Sequence, residues 1–394
     1  MLALTATTVV HPAGCGLDAL WTAAAQGRSG LQPNPLDWCS LDTWLGAVPG
    51  VDEVVLPEAL SAWDCRNHRL VWMALQDAAF VQAVREAVAQ YGAPRVGLVL
   101  GTSTSGIRST EIAYAQRRAS GRWPEDFDLR HHHTGDALAR FTAEVLGVAG
   151  PLATLSTACS SSAKVFLTAQ RWIDAGLIDA AIVGGADSLC LSTLHGFDSL
   201  QLLSARICRP FDATRDGISI GEAAGFALLE RSEEQAKGSV HFVAGGESSD
   251  AHHMSTPHPE GLGAAQAMRA ALDAAGLAPS DIGYVNAHGT ATPANDRSEA
   301  AALVSVFGQR GVPVSSTKGI TGHTLGACGI VEVLITAEAL RHQVLPPSAN
   351  LVQPDPALPL DLIITPRDTK LQYAMSNNFG FGGSNCTLIL GRSN

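Results

Sequence analysis

The chain has 394 residues, 46% of them hydrophobic, and a formal net charge of −11 at pH 7. This length allows two or three domains or one large α/β unit, and the acidic balance argues against a nucleic-acid-binding or anionic-membrane-binding protein. No apolar run approaches a membrane span, and eight scattered cysteines without paired spacing predict a reduced, cytoplasmic protein.

Short β-type runs alternate with longer alanine-rich segments, beginning with a predicted strand at residues 1–5. The other predicted strands are 96–100, 152–157, 180–183, 225–229, 240–243, 284–287, 312–315, 373–377 and 387–390. The predicted helices are 70–91, 135–146, 264–275 and 329–342. This alternation predicts βαβ units and a largely parallel sheet that is buried on both faces.

A weak internal repeat is present along the chain. Residues 151–175 and 313–342 both run from a proline-led strand through a Ser/Thr turn into a helix. We therefore predict two related halves that pack as one unit. Residues 1–240 would hold a reactive cysteine, and residues 241–394 would hold reactive histidine and lysine side chains.

Cys159 lies between a predicted strand and a predicted helix, in the segment Leu-Ser-Thr-Ala-Cys-Ser-Ser-Ser. Unsatisfied N–H groups and the positive end of the macrodipole stabilise a thiolate at a helix N-terminus. The pattern therefore predicts a nucleophile with a lowered pKa. The alternative is an inert apolar cysteine, which is the commoner state of a buried thiol.

Three further clusters of polar and glycine residues each follow a predicted strand. The first contains His288, the second contains Lys318 and His323, and the third is the glycine-rich segment 377–385. Each cluster alone is more often structural. Because α/β sheets place ligands at the carboxyl ends of their strands, their joint occurrence with Cys159 indicates an active site.

The chain resembles the β-ketoacyl-acyl-carrier-protein synthases I and II, the elongating ketosynthases of the thiolase superfamily. The motifs that carry the resemblance are His-Gly-Thr at 288–290, Gly-His-x-x-Gly-Ala at 322–327 and Phe-Gly-Phe-Gly-Gly at 379–383. Segments 209–217 and 221–225 are similar to the family's middle signature. The resemblance covers nearly the whole chain and implies a five-layered α-β-α-β-α thiolase fold with two related halves.

The resemblance also implies the roles of individual residues. Cys159, His288 and His323 match the family's catalytic centre, which Lys318 and Glu332 would support. The reaction implied is a decarboxylative condensation of an acyl thioester on the cysteine with malonyl-carrier protein. It gives a 3-oxoacyl-carrier protein in fatty-acid, polyene or polyketide elongation.

Other matched positions concern the oxyanion and the substrates. The backbone N–H groups of Cys159 and Phe381 would form an oxyanion hole, and Phe381 would also separate the malonyl and acyl pockets. Thr290 and Thr292 match hydroxyls that bind phosphopantetheine, and Phe379 is a further substrate-binding candidate. No metal or resident cofactor is implied, since the carrier delivers the phosphopantetheine.

The implied partners are an acyl carrier protein and a second subunit, in a homodimer or in a heterodimer with a related chain. Local positive patches would let an acidic enzyme bind an acidic carrier. The candidates for such patches are Arg66, Arg69, Arg206 and Arg209. A solvated charged face is the alternative interpretation of Arg66 and Arg69.

Three questions stay open at this point. Thr104 matches a pocket position that is apolar in many saturated-chain enzymes, so it favours a specialised acyl chain or a repacked dimer interface. A non-decarboxylating thiolase would need a second catalytic cysteine, for which Cys386 is the nearest candidate. A non-catalytic chain-length subunit usually lacks the nucleophile, whereas Cys159 is present.

Overall fold

The structure is a computed structural model that describes residues 1–231 and 236–393. Its strands are β1 (Leu2–His11), β2 (Gly14–Cys15), β3 (Gln32–Pro33), β4 (Trp44–Gly46), β5 (Val96–Gly101), β6 (Leu152–Leu155), β7 (Ala180–Asp187), β8 (Ile220–Gly221), β9 (Ala223–Arg231), β10 (Val240–Ser249), β11 (Ile282–Asn286), β12 (Pro313–Ser315), β13 (Val344–Leu345), β14 (Asp361–Leu362), β15 (Arg367–Asp368), β16 (Tyr373–Gly380) and β17 (Ser384–Arg392). Its α-helices are α1 (Leu17–Gln26), α2 (Arg66–Ala74), α3 (Ala78–Tyr91), α4 (Ile107–Ser120), α5 (Leu129–His132), α6 (Asp136–Leu146), α7 (Ser161–Asp174), α8 (Leu191–Ser199), α9 (Leu262–Ala275), α10 (Pro293–Phe307), α11 (Lys318–Thr321) and α12 (Cys328–His342).

A 12-stranded sheet runs through the molecule in two halves that repeat one strand order. The first half runs β6-β5-β7-β9-β1, with β2 paired to β1, and the second runs β14-β12-β11-β16-β17-β10, in which β14 is an additional edge strand. The halves meet where β1 pairs with β10, with Leu2 opposite Phe242 and Ala3 opposite His241. In each half the outer strands are parallel, and the strands nearest the junction are antiparallel.

The prediction of a largely parallel sheet is therefore wrong for the strands near the junction. β16 returns directly into β17 through the short segment 381–383, and such a connection can join only antiparallel strands. These strands are nonetheless buried on both faces, with nearly continuous apolar runs. Their composition is thus that of buried parallel strands, which explains the error.

Helices lie between and outside the two half-sheets. α7 and α12 pack against each other and against strands of both halves, so they form the central layer. On the outside, α2, α3 and α6 cover the first half, and α9 covers the second with α10 beside it. The result is the five-layered α-β-α-β-α thiolase fold with two related halves.

The predicted helix at 70–91 is two helices. α2 ends at Ala74 and α3 begins at Ala78, because the Asp77 carboxylate accepts hydrogen bonds from the N–H groups of Ala79 and Phe80. A side chain that caps a helix N-terminus starts a new helix there. The other predicted helices agree with α6, α9 and α12 to within two residues.

The central layer fixes where chemistry can occur. In α12, 13 of 15 residues are buried, so the helix is held on all sides. The N-termini of α7 and α12 meet, since a Cβ added at Gly329 would lie 2.4 Å from the Ala163 nitrogen. The loops that enter these two helices are therefore neighbours. In the described ranges, no helix reaches the length and apolarity needed to cross a bilayer.

Candidate active site

The thiol of Cys159 lies on the sharp turn between β6 and α7. Ala158 takes a left-handed conformation with φ +52°, and Cys159 follows it directly before Ser160, the N-cap residue of α7. Ser161 stabilises this turn, because its hydroxyl donates to the Ala158 carbonyl at 2.6 Å and accepts the Thr157 N–H at 2.9 Å. The strand, turn and helix predicted around the nucleophile are therefore confirmed.

The prediction of a lowered thiol pKa is wrong. Burial raises the pKa of Cys159 to about 11, although the Lys318 ammonium and the backbone N–H groups of Phe381 and Cys159 oppose that rise. Only 5% of the residue is exposed, and a thiolate loses its hydration there. The two N–H groups expected to form an oxyanion hole do converge on the sulfur.

His323 is the imidazole nearest to the thiol, with Nε2 3.0 Å from the sulfur of Cys159. The Leu325 N–H donates to Nδ1 at 3.1 Å, so the neutral ring carries its proton on Nε2. The backbone of His323 is fixed on both sides. Its N–H donates to the Ser219 carbonyl at 2.7 Å, and its carbonyl accepts the Gly221 N–H at 3.0 Å.

His288 follows β11, and its tautomer is fixed by Lys318. Lys318 Nζ lies 3.2 Å from Nδ1 of His288, so a charged ammonium donates there and leaves the imidazole proton on Nε2. The same ammonium pairs with the Glu332 carboxylate, which also accepts from the Asn378 amide at 2.5 Å. The His288 and His323 rings are nearly perpendicular, with centroids 5.4 Å apart.

Burial and the nearby Lys318 charge keep the two histidine rings neutral. Burial, reinforced by the Lys318 ammonium, lowers the pKa of His288 and of His323 well below the usual value. Burial alone would lower the pKa of Lys318, but the adjacent Glu332 carboxylate raises it, so this side chain stays charged. The site thus presents two neutral N–H donors beside one fixed positive charge.

Two cavities meet at the thiol. The first is lined by His288, His323, Thr290, Thr292 and Phe379, among others. The second is lined by Ser103, Ser156, Ala158, Thr193, Phe197 and Leu325. Cys159, Phe197 and Phe381 line both. The Phe381 ring packs 5.4 Å from the Phe197 ring, so this aromatic pair stands between the two spaces.

The three predicted substrate-binding residues of the first cavity are brought together. The hydroxyls of Thr290 and Thr292 lie 2.9 Å apart, and both side chains line the cavity. The Phe379 ring packs 5.9 Å from the His288 ring. A pair of hydroxyls therefore lines the same cavity as the two imidazoles.

Sequence profiles of one known protein family match both halves of the chain. The sequence profile described as the β-ketoacyl synthase N-terminal domain matches residues 2–235, and that of the C-terminal domain matches residues 241–352. The chain belongs to the β-ketoacyl synthase family.

Its relatives include 3-oxoacyl-[acyl-carrier-protein] synthase 2 of Vibrio cholerae, which is 34% identical over 99% of this chain and 98% of its own length. The protein of the same name from Staphylococcus aureus is 35% identical over 78% of this chain and 80% of its own length. The chain is an enzyme of the acyltransferase class, as these relatives are.

Solved structures give the same fold. A ketosynthase in complex with its chain length factor from Xenorhabdus doucetiae has a TM-score of 0.88 and 37% identity, over 100% of this chain and 98% of its own. A β-ketoacyl synthase from Burkholderia phymatum also has a TM-score of 0.88, with 31% identity over 100% of this chain and 99% of its own.

Thr104 of this β-ketoacyl synthase, a candidate pocket residue, is not among the residues that line the two cavities. Its hydroxyl and its N–H both bind the buried Asp187 carboxylate at 2.8 Å, and the Ser103 N–H binds the same group. The polar residue is thus explained by a structural carboxylate. Ser103 takes the place at the cavity wall.

Arg66 is also wrongly assigned to carrier docking. Its side chain is 7% exposed and binds the buried Glu222 carboxylate through Nε and Nη2, each at 2.7 Å. Arg69 is partly exposed and paired with Asp64 at 2.6 Å. Arg206 is 53% exposed and paired with Asp216, whereas Arg209 is half-buried and contacts the Thr214 hydroxyl at 3.3 Å. Only Arg206 offers its charge widely to solvent.

Several functional residues of the synthase were not singled out from the sequence. Asn378 holds Glu332, and its place in the Asn-Asn-Phe-Gly-Phe motif could have indicated it. Glu299 accepts the N–H groups of His288 and Gly289 at 2.8 and 2.7 Å, and so anchors the histidine turn. Phe197 lies 38 residues from Cys159 in a segment without a motif, and no local signal indicated it.

Two clusters of the synthase have the composition of metal ligands. Donor atoms of Cys159, His288 and His323 lie within 4.8 Å of one another, as do those of His288, Cys328 and Glu332. The Lys318 ammonium touches His288 and pairs with Glu332. A fixed positive charge at this position opposes a bound cation, so the donor set does not fit a metal.

Proposed function

We propose that the synthase condenses an acyl group held on Cys159 with a malonyl unit delivered by an acyl carrier protein. The main support for this proposal is that two neutral imidazole Nε2–H groups and two backbone N–H groups surround one thiol, at the point where two cavities meet. The relatives named 3-oxoacyl-[acyl-carrier-protein] synthase 2 support the same chemistry.

The first step is acyl transfer. The Cys159 thiolate attacks the carbonyl carbon of the acyl thioester, and the tetrahedral oxyanion receives hydrogen bonds from the N–H groups of Cys159 and Phe381. The carrier thiolate leaves and takes up the proton that the Cys159 thiol gave up, and a Cys159 thioester remains. The acyl chain then occupies the second cavity, beyond the Phe197–Phe381 pair.

The second step is loss of CO₂ from the malonyl thioester in the first cavity. The electron pair of the broken C–C bond becomes an enolate, whose oxygen accepts the Nε2–H groups of His288 and His323. The Lys318 ammonium stabilises this negative charge through space and holds His288 in the donating tautomer. One such preorganised donor is worth roughly 10²–10³ in rate.

The third step forms the new C–C bond. The enolate carbon attacks the Cys159 thioester, the oxyanion returns to the two backbone N–H groups, and the Cys159 thiolate leaves. The departing thiolate takes up one proton from solvent, which restores the free Cys159 thiol, and the product is a 3-oxoacyl thioester on the carrier. No group beyond these side chains and the carrier's phosphopantetheine is required.

The carrier's arm would pass Thr290 and Thr292, whose paired hydroxyls line the entry cavity. Arg206 and Arg209 remain docking candidates, because they follow Leu202 of the same cavity along the chain.

We also propose a cytoplasmic location, which the eight free cysteines favour. We propose that the chain has two domains, residues 1–240 with the nucleophilic Cys159 and residues 241–394 with His288, Lys318 and His323.

A second subunit is proposed at the β6 edge. β6 ends the sheet, Leu152 is 41% exposed, and the second cavity is bounded there by Ser156 and Ala158. Two of the neighbouring solved structures contain a ketosynthase together with a chain length factor. A copy of this chain or a related chain would therefore pair with this edge.

The experiment is intact-mass analysis after incubation with a panel of acyl-carriers, for the wild type, Cys159→Ala and Cys386→Ala. We expect one acyl adduct on the wild type and on Cys386→Ala, and neither an adduct nor condensation with Cys159→Ala. Cys386 is the matched control because it is wholly buried in β17 and because a thiolase would need a second cysteine. Condensation by Cys159→Ala would refute the proposal.

A further inference from the structure

Helix α8 forms part of the cavity wall but has few anchors. Thr193 and Phe197 line the second cavity, and Phe197 packs on Phe381. Of the nine residues of α8, all of them described, Leu194 alone is buried. Cys190 precedes the helix without capping it. Packing by itself therefore holds this wall weakly.

A carboxylate from α4, distant in sequence, caps α8. Glu111 Oε2 accepts the Leu191 N–H at 3.0 Å, and Oε1 accepts the Ser192 N–H and hydroxyl, each at 2.6 Å. The side chain is 14% exposed, and Arg108 pairs with it at 3.3 Å. A carboxylate at a helix N-terminus satisfies unpaired N–H groups and complements the macrodipole.

Arg108 extends this contact to the core around α8. Its guanidinium lies 4.0 Å from the centre of the Trp38 ring, and Trp38 packs on the apolar cluster that includes Leu194. Glu111 thus connects the first turn of α8 to α4 and, through Arg108, to the cluster beneath α8. Its contacts are with the backbone of α8 and not with the reacting atoms.

We propose that Glu111 is a specificity-determining positioning residue, which fixes α8 and so sets which acyl chains the second cavity accepts. The inference rests on the proposed function, because it assigns that cavity to the acyl chain. Glu111 would act on acyl transfer through Thr193 and Phe197. It would not act on malonyl decarboxylation, which occurs between His288 and His323.

The test measures kcat and KM for acyl transfer from short-, medium- and long-chain acyl-carriers, together with malonyl-carrier decarboxylation. The variants are Glu111→Ala, Glu111→Gln and Glu111→Asp, and the matched control is the exposed Glu125→Gln. For Glu111→Ala we expect the ratio of kcat/KM between chain lengths to change by roughly fivefold, mostly through KM. We expect a smaller change with Gln, partial rescue with Asp and wild-type decarboxylation throughout.

Unchanged chain-length ratios in both Glu111→Ala and Glu111→Gln would overturn the inference, as would an equal loss of acyl transfer and decarboxylation. If Glu111→Ala does not fold, Glu111→Gln decides the result, because it keeps one acceptor oxygen and the side-chain volume. The proposed function is judged separately on the wild type, whose failure to accept any acyl chain would reject it.

Discussion

Cys159 sits where burial disfavours the thiolate that acyl transfer needs. Three kinds of group oppose that cost: backbone N–H groups, the His323 Nε2–H and the Lys318 ammonium. They are all donors or positive charges, and the same groups later stabilise oxyanions. Cys159 can therefore be protonated in the resting enzyme and still react, because the same donors stabilise the negative charge of the transition state.

The pH dependence of alkylation tests this account. Because the pKa of Cys159 is raised to about 11, the thiolate fraction should keep rising with pH beyond the ordinary thiol pKa of about 8.5. Lys318→Met removes a group that lowers this pKa, so iodoacetamide should react more slowly at each pH. Mass spectrometry of the Cys159 peptide gives the rates.

The control for this experiment is Lys164→Met, which removes a lysine of α7 that pairs with Glu247 at 3.4 Å. It should leave the alkylation profile of Cys159 unchanged. A wild-type rate that levels off near neutral pH would show that the thiol pKa is low, and would contradict the account.

At the scale of elements, helix α2 shows how a charged residue can serve the core. Arg66, the first residue of α2, forms a two-pronged pair with Glu222. Glu222 also accepts the N–H groups of Val48 and Leu189 at 3.0 Å. This carboxylate therefore joins α2 to the segment that precedes α8, and its loss would loosen both.

We expect Arg66→Met to lower the free energy of unfolding by about 3–5 kcal/mol, because it leaves the Glu222 carboxylate buried without its cation. Arg69→Met, which breaks the half-exposed pair with Asp64, should cost about 1 kcal/mol or less. Urea unfolding followed by fluorescence measures both. Equal, small effects would mean that the buried Arg66–Glu222 pair contributes no more to stability than an exposed ion pair.

At the scale of the whole molecule, the exposed end of the sheet at β6 has polar groups to satisfy. The Leu98 N–H donates to the Pro151 carbonyl, and the Thr102 N–H donates to the Leu155 carbonyl. In a parallel pair, alternate residues of a strand direct their N–H and C=O groups towards the neighbouring strand. Residues 151, 153 and 155 therefore face β5, and the Thr154 N–H points away from it. A strand from a second subunit would supply an acceptor for this outward N–H.

Thr154→Pro removes that outward N–H and should weaken the proposed dimer, because proline cannot donate to an added strand. Sedimentation velocity should then show a shift from dimer to monomer. Thr154→Val is the control, since it keeps the N–H and the β-branched shape. Dimers of unchanged stability in Thr154→Pro would place the subunit interface elsewhere.

Part of the site was accessible from the sequence, because its chemistry lies in short motifs that each follow a strand. The positions of Cys159, His288, Lys318 and His323 and the two-half repeat could all be predicted. The direction of the Cys159 pKa shift could not, since a helix N-terminus is a local feature and burial is not. The hydrogen bonds of Thr104 could not be predicted either, because its partner, Asp187, is 83 positions away.

The family, the candidate catalytic side chains and the order of the loops that carry them could therefore be predicted from the sequence. The charge state of those groups and the exposure of the arginines required the folded structure. The residues that form the wall of the second cavity also became clear only there. The physical reason is that burial and hydrogen-bond partners are set by distant segments, as when Glu222 meets Arg66 across 156 positions and Glu111 caps α8 across 80.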